Sequence, residues 1–333
     1  MIDGERLDDF DLELIQWELT GSCNLQCKFC YASSEPGKYE KNGLTKEEKK
    51  KLISEIKNME PDTLQFLGGE PLLEKDLLTE SIRVLNKSVD KFNITTNGTL
   101  IEEGFLEKLK PFKDQINIQI AVDGATEDVH DSLRGEGTFR KVMKSIDLVN
   151  DHSFQWSSTL LLNEDNFHQL RDIVELVDRK NGLSVEILNL SRGGRNEKWI
   201  DKRLFSSKQR EEIMKKMKEL REEDLPVYTR SFILPKHRNK IKKMKDSPGK
   251  YYGCGAPITR FAILPSRNLT PCGGLREDCV FSESFEDSSL KKAHERLKDR
   301  YIKRVREYKK NNCGDCDFLD QCLISPCRKL SDN

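Results

Sequence analysis

Short apolar runs alternate with amphipathic segments over roughly the first 190 residues of the chain. Six runs are rich in β-branched, aromatic and leucine residues and have the length of strands, and five segments between them repeat apolar residues at helical spacing. Strands that alternate with helices predict βα units, which form a parallel sheet through right-handed crossovers. The strand-like runs are 14–20, 63–68, 91–97, 115–124, 156–163 and 183–190, and the helix-like segments are 45–59, 76–88, 101–110, 138–150 and 166–180.

Two architectures fit this alternation, an open doubly wound sheet and a barrel. Both place the carboxyl ends of the parallel strands at one edge of the sheet, where ligand-binding loops gather. The residues that follow the strand-like runs are therefore the first candidates for a functional site.

After residue 200 the regular alternation ends. A lone charged helix is predicted at 207–224, and a basic, irregular linker follows at 236–250. The pattern then predicts a hairpin at 260–272 and a basic helix at 288–310. This helix is expected to present a solvated face, with the docking of an acidic peptide as the alternative. The tail at 313–327 is too short for an apolar core, so its order is expected to depend on bound metal.

The balance of charge argues against several classes of function. The 333 residues hold 57 basic and 57 acidic side chains, so no global field indicates a nucleic acid or a membrane surface as a partner. The first residues, MIDGERLDDFDLE, lack the basic and apolar regions of a signal peptide, and the apolar runs are too short to span a bilayer. The sequence predicts a cytoplasmic protein with one large domain, or with a large and a small one.

The ten cysteines are distributed unevenly, with three between positions 23 and 30 and the other seven between positions 254 and 327. In a cytoplasmic protein, cysteines at this density indicate metal or redox chemistry rather than a disulfide framework. The distribution therefore predicts two separate groups of ligands, one near each end of the chain.

The first group is the stretch TGSCNLQCKFCYASS, which places Cys23, Cys27 and Cys30 directly after the first strand-like run. Their spacing also fits one face of a helix, so three buried structural cysteines are the alternative. The preceding TGS favours a turn instead, and the aromatic residues on either side of the third cysteine interrupt a helical apolar stripe. Three thiolates fill three irons of a [4Fe–4S] cluster and leave the fourth iron open to a non-protein ligand, which suits a catalyst.

The segment CNLQCKFCY resembles the cluster-binding loop of the radical S-adenosylmethionine superfamily. The resemblance implies a [4Fe–4S] cluster on Cys23, Cys27 and Cys30, whose open iron chelates S-adenosylmethionine. It also places Phe29 and Tyr31 beside the cofactor. In that family the reduced cluster passes one electron to the sulfonium, and the resulting 5′-deoxyadenosyl radical abstracts a hydrogen atom from the substrate.

Two later segments resemble further motifs of the same family. LQFLGGEPLL is similar to its GGEP turn, in which Gly68 and Gly69 allow the backbone to approach a ligand closely. In that turn Glu70 is expected to accept a hydrogen bond from the methionyl ammonium group. NITTNGTL is similar to the family's third-strand segment, which places Asn97 near the ribose or the methionine moiety.

The segment QIAVDGATEDVHDSLRG resembles the family's S-x-D-G…H-D-x-x-R-G stretch. The resemblance implies that Arg134 pairs with the methionyl carboxylate and that Asp123 shapes a turn near the cofactor. The family's usual serine is Ala121 here, so its hydroxyl contact is missing or is supplied elsewhere. His130 is expected to be a surface or capping residue rather than a base. The resemblance covers about residues 12–190 and implies an α/β fold, a partial (β/α)6 TIM-type barrel that is open on one side.

The C-terminal cysteines have the spacing C-x17-C-x6-C, then a gap, then C-x2-C-x5-C-x4-C. A zinc ribbon is the structural alternative, because C-x2-C pairs also bind tetrahedral Zn2+. The segments YGCGAPITRFAILPSRNLTPCGG and CGDCDFLDQCLISPC resemble the SPASM extension, or its shorter twitch relative, which holds auxiliary [4Fe–4S] clusters in enzymes that modify peptides and proteins. The resemblance implies that a small irregular, cysteine-rich iron–sulfur domain follows the barrel.

The resemblance further implies that the seven C-terminal thiolates serve one or two auxiliary [4Fe–4S] clusters. Seven thiolates cannot fully ligate two four-iron clusters, so one site is either open or completed by another group. The implied ligands are Cys254, Cys272 and Cys327 for one cluster, Cys313, Cys316 and Cys322 for the other, and Cys279 for either.

The segment SRGGR at 191–195 follows the sixth strand-like run. It is predicted either to bind an anion through its backbone amides and arginines or to form a simple polar loop. The predicted domains are an N-terminal segment at 1–14, the barrel at 15–200, a helix with a basic linker at 201–250, and the auxiliary-cluster domain at 251–333.

The resemblance implies an enzyme that oxidatively modifies a peptide or protein side chain, by a thioether or carbon–carbon crosslink, an epimerisation or a formylglycine-type oxidation. Cofactor biosynthesis, such as the decarboxylation of haem-pathway propionates, is the alternative, and a non-catalytic iron–sulfur or zinc scaffold is a remote one. Besides the substrate, an electron donor such as flavodoxin or ferredoxin is an expected partner. Only 22 residues precede Cys23, so a leader peptide is expected to bind a separate protein or the barrel surface. No catalytic acid or base is singled out.

Overall fold

Six parallel strands form where the apolar runs predict them. The computed structural model describes residues 11–39, 41–190, 193–229, 252–253, 255–276, 279, 281–312 and 322–323. Each of the six strands begins and ends within three residues of its predicted bounds. The strands are β1 Leu14–Thr20, β2 Thr63–Gly68, β3 Lys91–Thr96, β4 Ile116–Ala121, β5 Gln155–Leu162, β6 Val185–Asn189, β7 Val227–Tyr228, β8 Tyr252–Gly253, β9 Arg260–Ile263, β10 Asn268–Thr270, β11 Glu283–Ser284 and β12 Cys322–Leu323.

Helices follow the strands in the predicted order, and the periodicity misses two short helices. One, after β6, has only the four residues EKWI. The other, between β4 and β5, has the sequence EDVHDSLR, which holds only two aliphatic side chains and therefore shows no apolar stripe. The helices are α1 Lys46–Met59, α2 Lys75–Leu85, α3 Glu103–Leu109, α4 Glu127–Arg134, α5 Thr138–Asp151, α6 Leu170–Arg179, α7 Glu197–Ile200, α8 Ser207–Glu222 and α9 Leu290–Asn312.

Most strands join one mixed sheet, in the order β11-β10-β9-β1-β2-β3-β4-β5-β6-β7. The seven strands from β1 to β7 pair in parallel, as βα units require. On the other side of β1, strand β9 pairs with β1 in parallel, and β10 pairs in the antiparallel direction with both β9 and β11. The predicted hairpin is confirmed as β9 and β10, and it extends the barrel sheet beside β1. The predicted partial barrel of α/β class is confirmed.

One face of this sheet is apolar and lies beneath the helices. On β1 the alternate residues Ile15, Trp17 and Leu19 are fully buried in the main core. The ring of Phe66 lies between those of Trp17 and Phe92, with both pairs of ring centroids 6.2 Å apart. Burial of such side chains is the main source of hydrophobic stabilisation. Polar side chains occupy the opposite face, which in a barrel is the interior.

The start of α1 is fixed from two directions. Thr45 caps the helix, because its hydroxyl accepts from the Glu48 amide at 3.2 Å and its own amide donates to the Glu48 carboxylate at 2.7 Å. Arg267, in the turn between β9 and β10, donates to the same carboxylate at 2.7 Å and to the carbonyls of Asn42 and Gly43 at 3.0 Å each. The C-terminal hairpin therefore anchors the chain that leads from the cysteine loop into α1.

No helix in the described ranges combines the length and the apolar content that a membrane crossing requires.

Candidate active site

The loop that carries the first three cysteines follows β1 at the carboxyl edge of the sheet. Residues 21–34 form turns and irregular backbone rather than a helix, so the helical alternative for Cys23, Cys27 and Cys30 is wrong. All three are free thiols; Cys23 and Cys27 are buried, and Cys30 is partly exposed. The loop therefore presents its thiols at the position where ligand sites of parallel-sheet proteins gather.

Two of these sulfur atoms accept hydrogen bonds from backbone amides. The Leu25 amide donates to Cys23 Sγ at 3.4 Å, and the Ser34 amide donates to Cys30 Sγ at 3.3 Å. Such donors stabilise a thiolate, whereas burial opposes it and raises the pKa of Cys23 to about 11. Burial also raises the pKa of Cys27. Metal binding must therefore release protons from this loop.

The donor set fits a [4Fe–4S] cluster with three protein ligands. Such a cluster takes one thiolate at each of three separate irons rather than three ligands on a single ion. In the described part of the chain, no group of three or more His, Cys, Asp or Glu side chains is placed to hold one metal ion.

The turn after β2 packs directly against the cysteine loop. The Gly69 amide donates to the Thr20 carbonyl and the Glu70 amide donates to the Ser22 carbonyl, both at 2.8 Å. A Cβ atom on Gly69 would lie 2.0 Å from the Ser22 carbonyl oxygen, and Gly68 has a φ of +139°. Only glycines allow this close approach of two backbones. The prediction of a glycine-dependent turn holds here, and the partner that the structure shows is the cysteine loop.

Glu70 joins the turns after β2 and β3. Its side chain is fully buried, and one carboxylate oxygen accepts from the Leu72 amide at 3.0 Å and from the Thr96 hydroxyl at 2.7 Å. The other oxygen accepts from the Asn97 amide at 2.8 Å. Burial raises the pKa of this carboxyl group, and the three donors oppose the rise. A contact of Glu70 with a methionyl ammonium group stays a prediction.

Asn97 links the turn after β3 to the cysteine loop. Its side-chain amide donates to Asn24 Oδ1 at 2.9 Å, and a longer contact of 3.9 Å reaches Cys23 Sγ. Its carbonyl oxygen accepts from the amide of Thr99 at 2.9 Å. The structure therefore places Asn97 beside the first cysteine, and its contact with the ribose or the methionine moiety stays a prediction.

Asp123 and Arg134 form a buried ion pair beside the second cysteine. Asp123 Oδ2 accepts from Arg134 Nε, and Asp123 Oδ1 accepts from the Leu161 amide at 2.8 Å. The guanidinium of Arg134 lies 5.1 Å from the centre of the Phe29 ring. Its positive charge lowers the pKa of the Cys27 thiol against the larger effect of burial. Asp123 thus holds Arg134 at the cysteine loop. The contact of Arg134 with the methionyl carboxylate stays a prediction.

His130 lies within α4 and is buried, so the prediction of a surface or capping residue is wrong. The side chain is fully buried, and its Nδ1 atom accepts from the Asp123 amide at 3.3 Å. Burial lowers the pKa of His130 to about 4, so the ring is neutral at pH 7. Its edge contacts the ring of Phe139 at a centroid distance of 5.7 Å.

Residues of the loop after β6 contact the cysteine loop after β1, although four strands lie between β1 and β6 in the sheet. In SRGGR, residues 191–192 lie outside the described part of the chain. Arg195 donates to the carbonyls of Cys27 and Ser34 at 3.2 and 2.8 Å. The prediction for this segment was an anion or a simple polar loop. The structure shows the Arg195 guanidinium bound to neutral carbonyl groups of the cysteine loop instead.

A band of polar side chains crosses the interior face of the sheet. Gln65 is its centre: its carbonyl oxygen accepts from Gln16 at 2.8 Å, and its amide donates to Thr95 at 2.8 Å and to Gln119 at 3.0 Å. Further along, Asn117 donates to the hydroxyl of Ser157 at 3.0 Å. We call this set the polar band; its members are Gln16, Gln65, Thr95, Asn117, Gln119 and Ser157.

An ion pair lies next to the polar band, between β1 and the turn after β10. Arg276 Nη1 lies 2.7 Å from Glu18 Oε1, and both side chains are largely buried. Tyr31, which follows the third cysteine of the loop, lies under the Arg276 guanidinium with 6.0 Å to its ring centre. Burial and the nearby Glu18 carboxylate raise the pKa of the Tyr31 hydroxyl. Glu18, Tyr31 and Arg276 therefore form one buried polar cluster.

Two of the seven C-terminal cysteines have described side chains. Cys272 lies in the turn that carries Arg276, and the Gly273 amide of this turn donates to Gln16 of the polar band at 3.0 Å. Cys279 is partly buried and packs against the main core. The other predicted ligands, Cys254, Cys313, Cys316, Cys327 and the side chain of Cys322, lie outside the described residues.

Sequence reasoning missed two side chains that contact the site, Glu18 and Arg276, and it missed the carbonyl partners of Arg195, a residue of the predicted SRGGR segment. A charged residue within the apolar run LIQWELT is a signal for Glu18, because a buried carboxylate needs a partner. For the partners of the two arginines no local signal exists, since each arginine contacts residues more than 150 positions away in the sequence.

The family follows from a comparison with known proteins. The profile of the Radical SAM superfamily matches residues 17–177, which contain the cysteine loop and the turns after β2, β3 and β4. Residues 17–177 therefore form a radical S-adenosylmethionine domain, and the chain is an enzyme. This domain implies a [4Fe–4S] cluster and S-adenosylmethionine as cofactors, which the donor set of the cysteine loop fits.

Relatives of this chain act in different pathways. The AdoMet-dependent heme synthase of Nitratidesulfovibrio vulgaris is 26% identical over 325 residues, which cover 93% of this chain and 86% of the relative. The antilisterial bacteriocin subtilosin biosynthesis protein AlbA of Bacillus subtilis is 25% identical, over 82% of this chain and 57% of AlbA. Among solved structures, anSMEcpe with bound AdoMet and the Cp18Cys peptide has a TM-score of 0.68 at 18% identity and covers 94% of this chain and 88% of that one. This last likeness shows the fold.

Proposed function

We propose that this radical S-adenosylmethionine enzyme oxidatively modifies a side chain of a peptide or protein. When bound, the cluster and S-adenosylmethionine supply a 5′-deoxyadenosyl radical, which abstracts a hydrogen atom from the substrate. The proposed cluster ligands are Cys23, Cys27 and Cys30. The residues proposed to surround S-adenosylmethionine are Phe29, Tyr31, Gly68, Gly69, Glu70, Asn97, Asp123 and Arg134.

The observation that supports a peptide substrate is the polar band. Its six side chains carry amides and hydroxyls, groups that both donate and accept hydrogen bonds. A peptide presents the same two kinds of group along its backbone, so an extended segment can exchange hydrogen bonds with the band without leaving a buried donor or acceptor unpaired. The band lies on the interior face of the sheet, on which a substrate must lie to reach a radical formed at the carboxyl edge.

The two curated relatives point to different substrate classes. By its name AlbA takes part in the biosynthesis of a bacteriocin, and the anSMEcpe structure contains a peptide. The heme synthase, however, matches this chain over the larger share of its own length.

A second candidate function, the oxidative decarboxylation of porphyrin propionates, is therefore supported by that extensive match. Arg276 also favours it, because a guanidinium binds a carboxylate through two parallel hydrogen bonds. In the described structure, however, this guanidinium is already paired with Glu18. Binding of a propionate there would have to compete with the buried Glu18 carboxylate for the same guanidinium, which is why we rank this function second.

The C-terminal region is proposed to hold auxiliary [4Fe–4S] clusters and to resemble a SPASM or twitch domain at 251–333. Cys272 supports this, because its turn contacts Gln16 of the polar band. A cluster bound there would lie beside the substrate and could accept the electron that remains after hydrogen abstraction. A flavodoxin or ferredoxin as electron donor, a separate leader-binding protein and a cytoplasmic location also stay proposals.

The experiment that tests the function starts from protein reconstituted anaerobically with iron and sulfide. Reduction with dithionite in the presence of S-adenosylmethionine should yield 5′-deoxyadenosine, and a scaffold protein would yield none. Candidate peptides encoded by neighbouring genes and iron porphyrins that carry propionates are then compared as substrates. Loss of hydrogen atoms from a peptide supports the proposal, whereas release of carbon dioxide from a porphyrin supports the second candidate and contradicts the first.

A further inference from the structure

Two adjacent residues after β6 bind the backbone of the cysteine loop at four points. The Arg195 amide donates to the Cys30 carbonyl at 3.1 Å. The Arg195 guanidinium donates to the carbonyls of Cys27 and Ser34 at 3.2 and 2.8 Å. The side-chain amide of Asn196 donates to the Phe29 carbonyl at 3.1 Å. We call the segment 193–196 the β6 clamp.

The backbone of the β6 clamp is shaped to lie against the loop. Gly194 has a φ of +59°, and a Cβ atom there would lie 2.4 Å from the Tyr31 carbonyl oxygen and 2.7 Å from the Ser33 hydroxyl oxygen. A side chain at this position would push the two segments apart. The close approach therefore depends on a glycine directly before Arg195.

These hydrogen bonds restrain the loop at both of its last two cysteines. Because the peptide unit is planar, a hydrogen bond that fixes the direction of its carbonyl oxygen also fixes the orientation of the whole unit. The Cα–Cβ bonds on either side of that unit are then restrained as well. The carbonyls of Cys27 and Cys30 are both held by Arg195. The clamp thus limits the directions in which these two thiols can point, with no help from a bound metal.

Arg195 also brings a positive charge to the loop. Among the described residues no carboxylate is paired with its guanidinium, whereas Arg134 is paired with Asp123 and Arg276 with Glu18. An iron–sulfur cluster gains negative charge on reduction, and its potential depends on the surrounding charges. A cation held at the carbonyls of the ligand loop stabilises the reduced cluster.

We propose that Arg195 is a positioning residue for the [4Fe–4S] cluster, which orients the cysteine loop before the cluster binds and raises the reduction potential afterwards. The proposal rests on the assignment of the cluster to Cys23, Cys27 and Cys30, and it is independent of the substrate. It assigns the β6 clamp a role in cluster assembly and in electron uptake.

Two substitutions separate the hydrogen bonds from the charge. Arg195→Gln removes the charge and shortens the side chain, whereas Arg195→Lys keeps the charge and loses the planar fork that spans two carbonyls. Arg267→Gln is the matched control, because Arg267 also caps two backbone carbonyls, those of Asn42 and Gly43, outside the cysteine segment.

The first measurement uses the protein without its cluster. Hydrogen–deuterium exchange of the amides at 27–34 should be about fivefold faster in both Arg195 variants, the change that the loss of one net hydrogen bond produces. The Arg267→Gln variant should exchange at the wild-type rate in this segment. Wild-type rates in both Arg195 variants would overturn the positioning role.

The second measurement uses the reconstituted protein and follows the N-terminal cluster by electron paramagnetic resonance during a redox titration. Arg195→Gln should retain less iron and have a more negative midpoint potential, whereas Arg195→Lys should retain less iron at a potential near that of the wild type. An unchanged potential in Arg195→Gln would overturn the electrostatic role.

A third variant keeps the proposal testable if Arg195→Gln does not fold. Asn196→Asp replaces the donor to the Phe29 carbonyl with an acceptor and leaves Arg195 in place, so it should also speed exchange at 27–34; an unchanged rate would contradict the clamp. If the wild-type protein takes up no cluster, the proposed function fails, and the exchange rates still decide whether the clamp orders the loop.

Discussion

Arg276 Nη1 lies 2.7 Å from Glu18 Oε1, and the two residues are 258 positions apart in the sequence. The pair connects the first strand of the barrel to the turn that carries Cys272. Tyr31 of the cysteine loop lies against the same guanidinium. A single buried ion pair therefore brings together the first strand, the cluster loop and the C-terminal segment.

Removal of one partner of this pair should destabilise the fold strongly. Glu18→Gln removes the carboxylate that pairs with the Arg276 guanidinium, in a pair whose arginine is only 17% exposed and whose glutamate is 2% exposed. We expect a loss of about 3 kcal/mol in the free energy of unfolding, the usual cost of breaking a buried pair. Urea unfolding of the cluster-free protein at pH 7 measures it.

The double variant Glu18→Gln/Arg276→Gln is the control for this prediction. Because it removes both charges, it should lose less stability than the sum of the two single variants, with a coupling of about 1–3 kcal/mol. Additive losses would show that the two side chains do not act as a pair.

Each cysteine of the N-terminal loop should be required for formation of 5′-deoxyadenosine. Cys23→Ala, Cys27→Ala and Cys30→Ala each remove one thiolate from a cluster that has three protein ligands, so cleavage of S-adenosylmethionine should fall below detection. Anaerobic reconstitution followed by chromatography of the products measures this. Ser132→Ala, in the exposed part of α4, should behave as the wild type, and turnover in any of the three cysteine variants would refute the ligand assignment.

The sequence predicted the strands well because alternation along a half-buried strand is a local property. Runs such as LIQWELT and TLQFLG coincide with β1 and β2 from the first residue to the last. The short helix α4 escaped detection because its buried residues are His130 and Leu133, which leave no apolar stripe for periodicity to detect.

The sequence predicted those residues of the candidate site that belong to short continuous motifs, and it did not predict the contacts between distant segments. The cysteines, Glu70, Asn97 and Asp123 each lie in a loop or turn directly after a strand, so the parallel sheet alone brings them to one edge. Arg134 is the last residue of α4, and its pairing with Asp123 brings it to the same edge. The partners of Arg195 and Arg276 depend instead on how distant segments pack. No local pattern encodes such a contact, which is why the β6 clamp and the Glu18–Arg276 pair emerge only from the structure.

Arg134 should determine the affinity for S-adenosylmethionine if it binds the carboxylate as the family resemblance implies. Arg134→Lys keeps a positive charge but loses the planar fork, so the dissociation constant should rise about tenfold, which corresponds to ~1.4 kcal/mol. Equilibrium dialysis against the reconstituted protein measures it. The control is Arg171→Lys, whose arginine pairs with Glu223 at the exposed surface, and equal affinities in both variants would contradict the role of Arg134.

Two buried histidines should make the cluster-free protein less stable in mild acid. Burial lowers the pKa of His130 and of His294 to about 4, whereas an unfolded histidine titrates near 6.5. As the pH falls, the unfolded chain therefore binds protons before the folded chain does. The stability that comes from burying the two neutral histidines is complete above pH 6.5 and is lost as the pH falls toward 4. Each histidine should cost roughly 2 kcal/mol between pH 7 and pH 5.

Replacement of one histidine tests this pH dependence. His294→Gln can still donate to the Pro257 carbonyl, which His294 Nε2 contacts at 2.7 Å, but it does not titrate. The difference in unfolding free energy between pH 7 and pH 5 should therefore shrink in this variant. His168→Gln, at an exposed position, is the control, and an equal effect of the two substitutions would argue against burial as the cause.

A methyl group on Gly69 should separate the turn after β2 from the cysteine loop. In Gly69→Ala the new Cβ atom would lie 2.0 Å from the Ser22 carbonyl oxygen, so one of the two backbones must move and the hydrogen bond from the Glu70 amide to Ser22 must lengthen. Bound iron after reconstitution should fall, because this contact supports the loop beside Cys23. Gly104→Ala is the matched control: it lies in α3 with no atom within 4 Å of the added carbon, and it should raise the unfolding free energy by about 0.5–1 kcal/mol. Equal iron content in the two alanine variants would show that the glycine turn does not support the cluster loop.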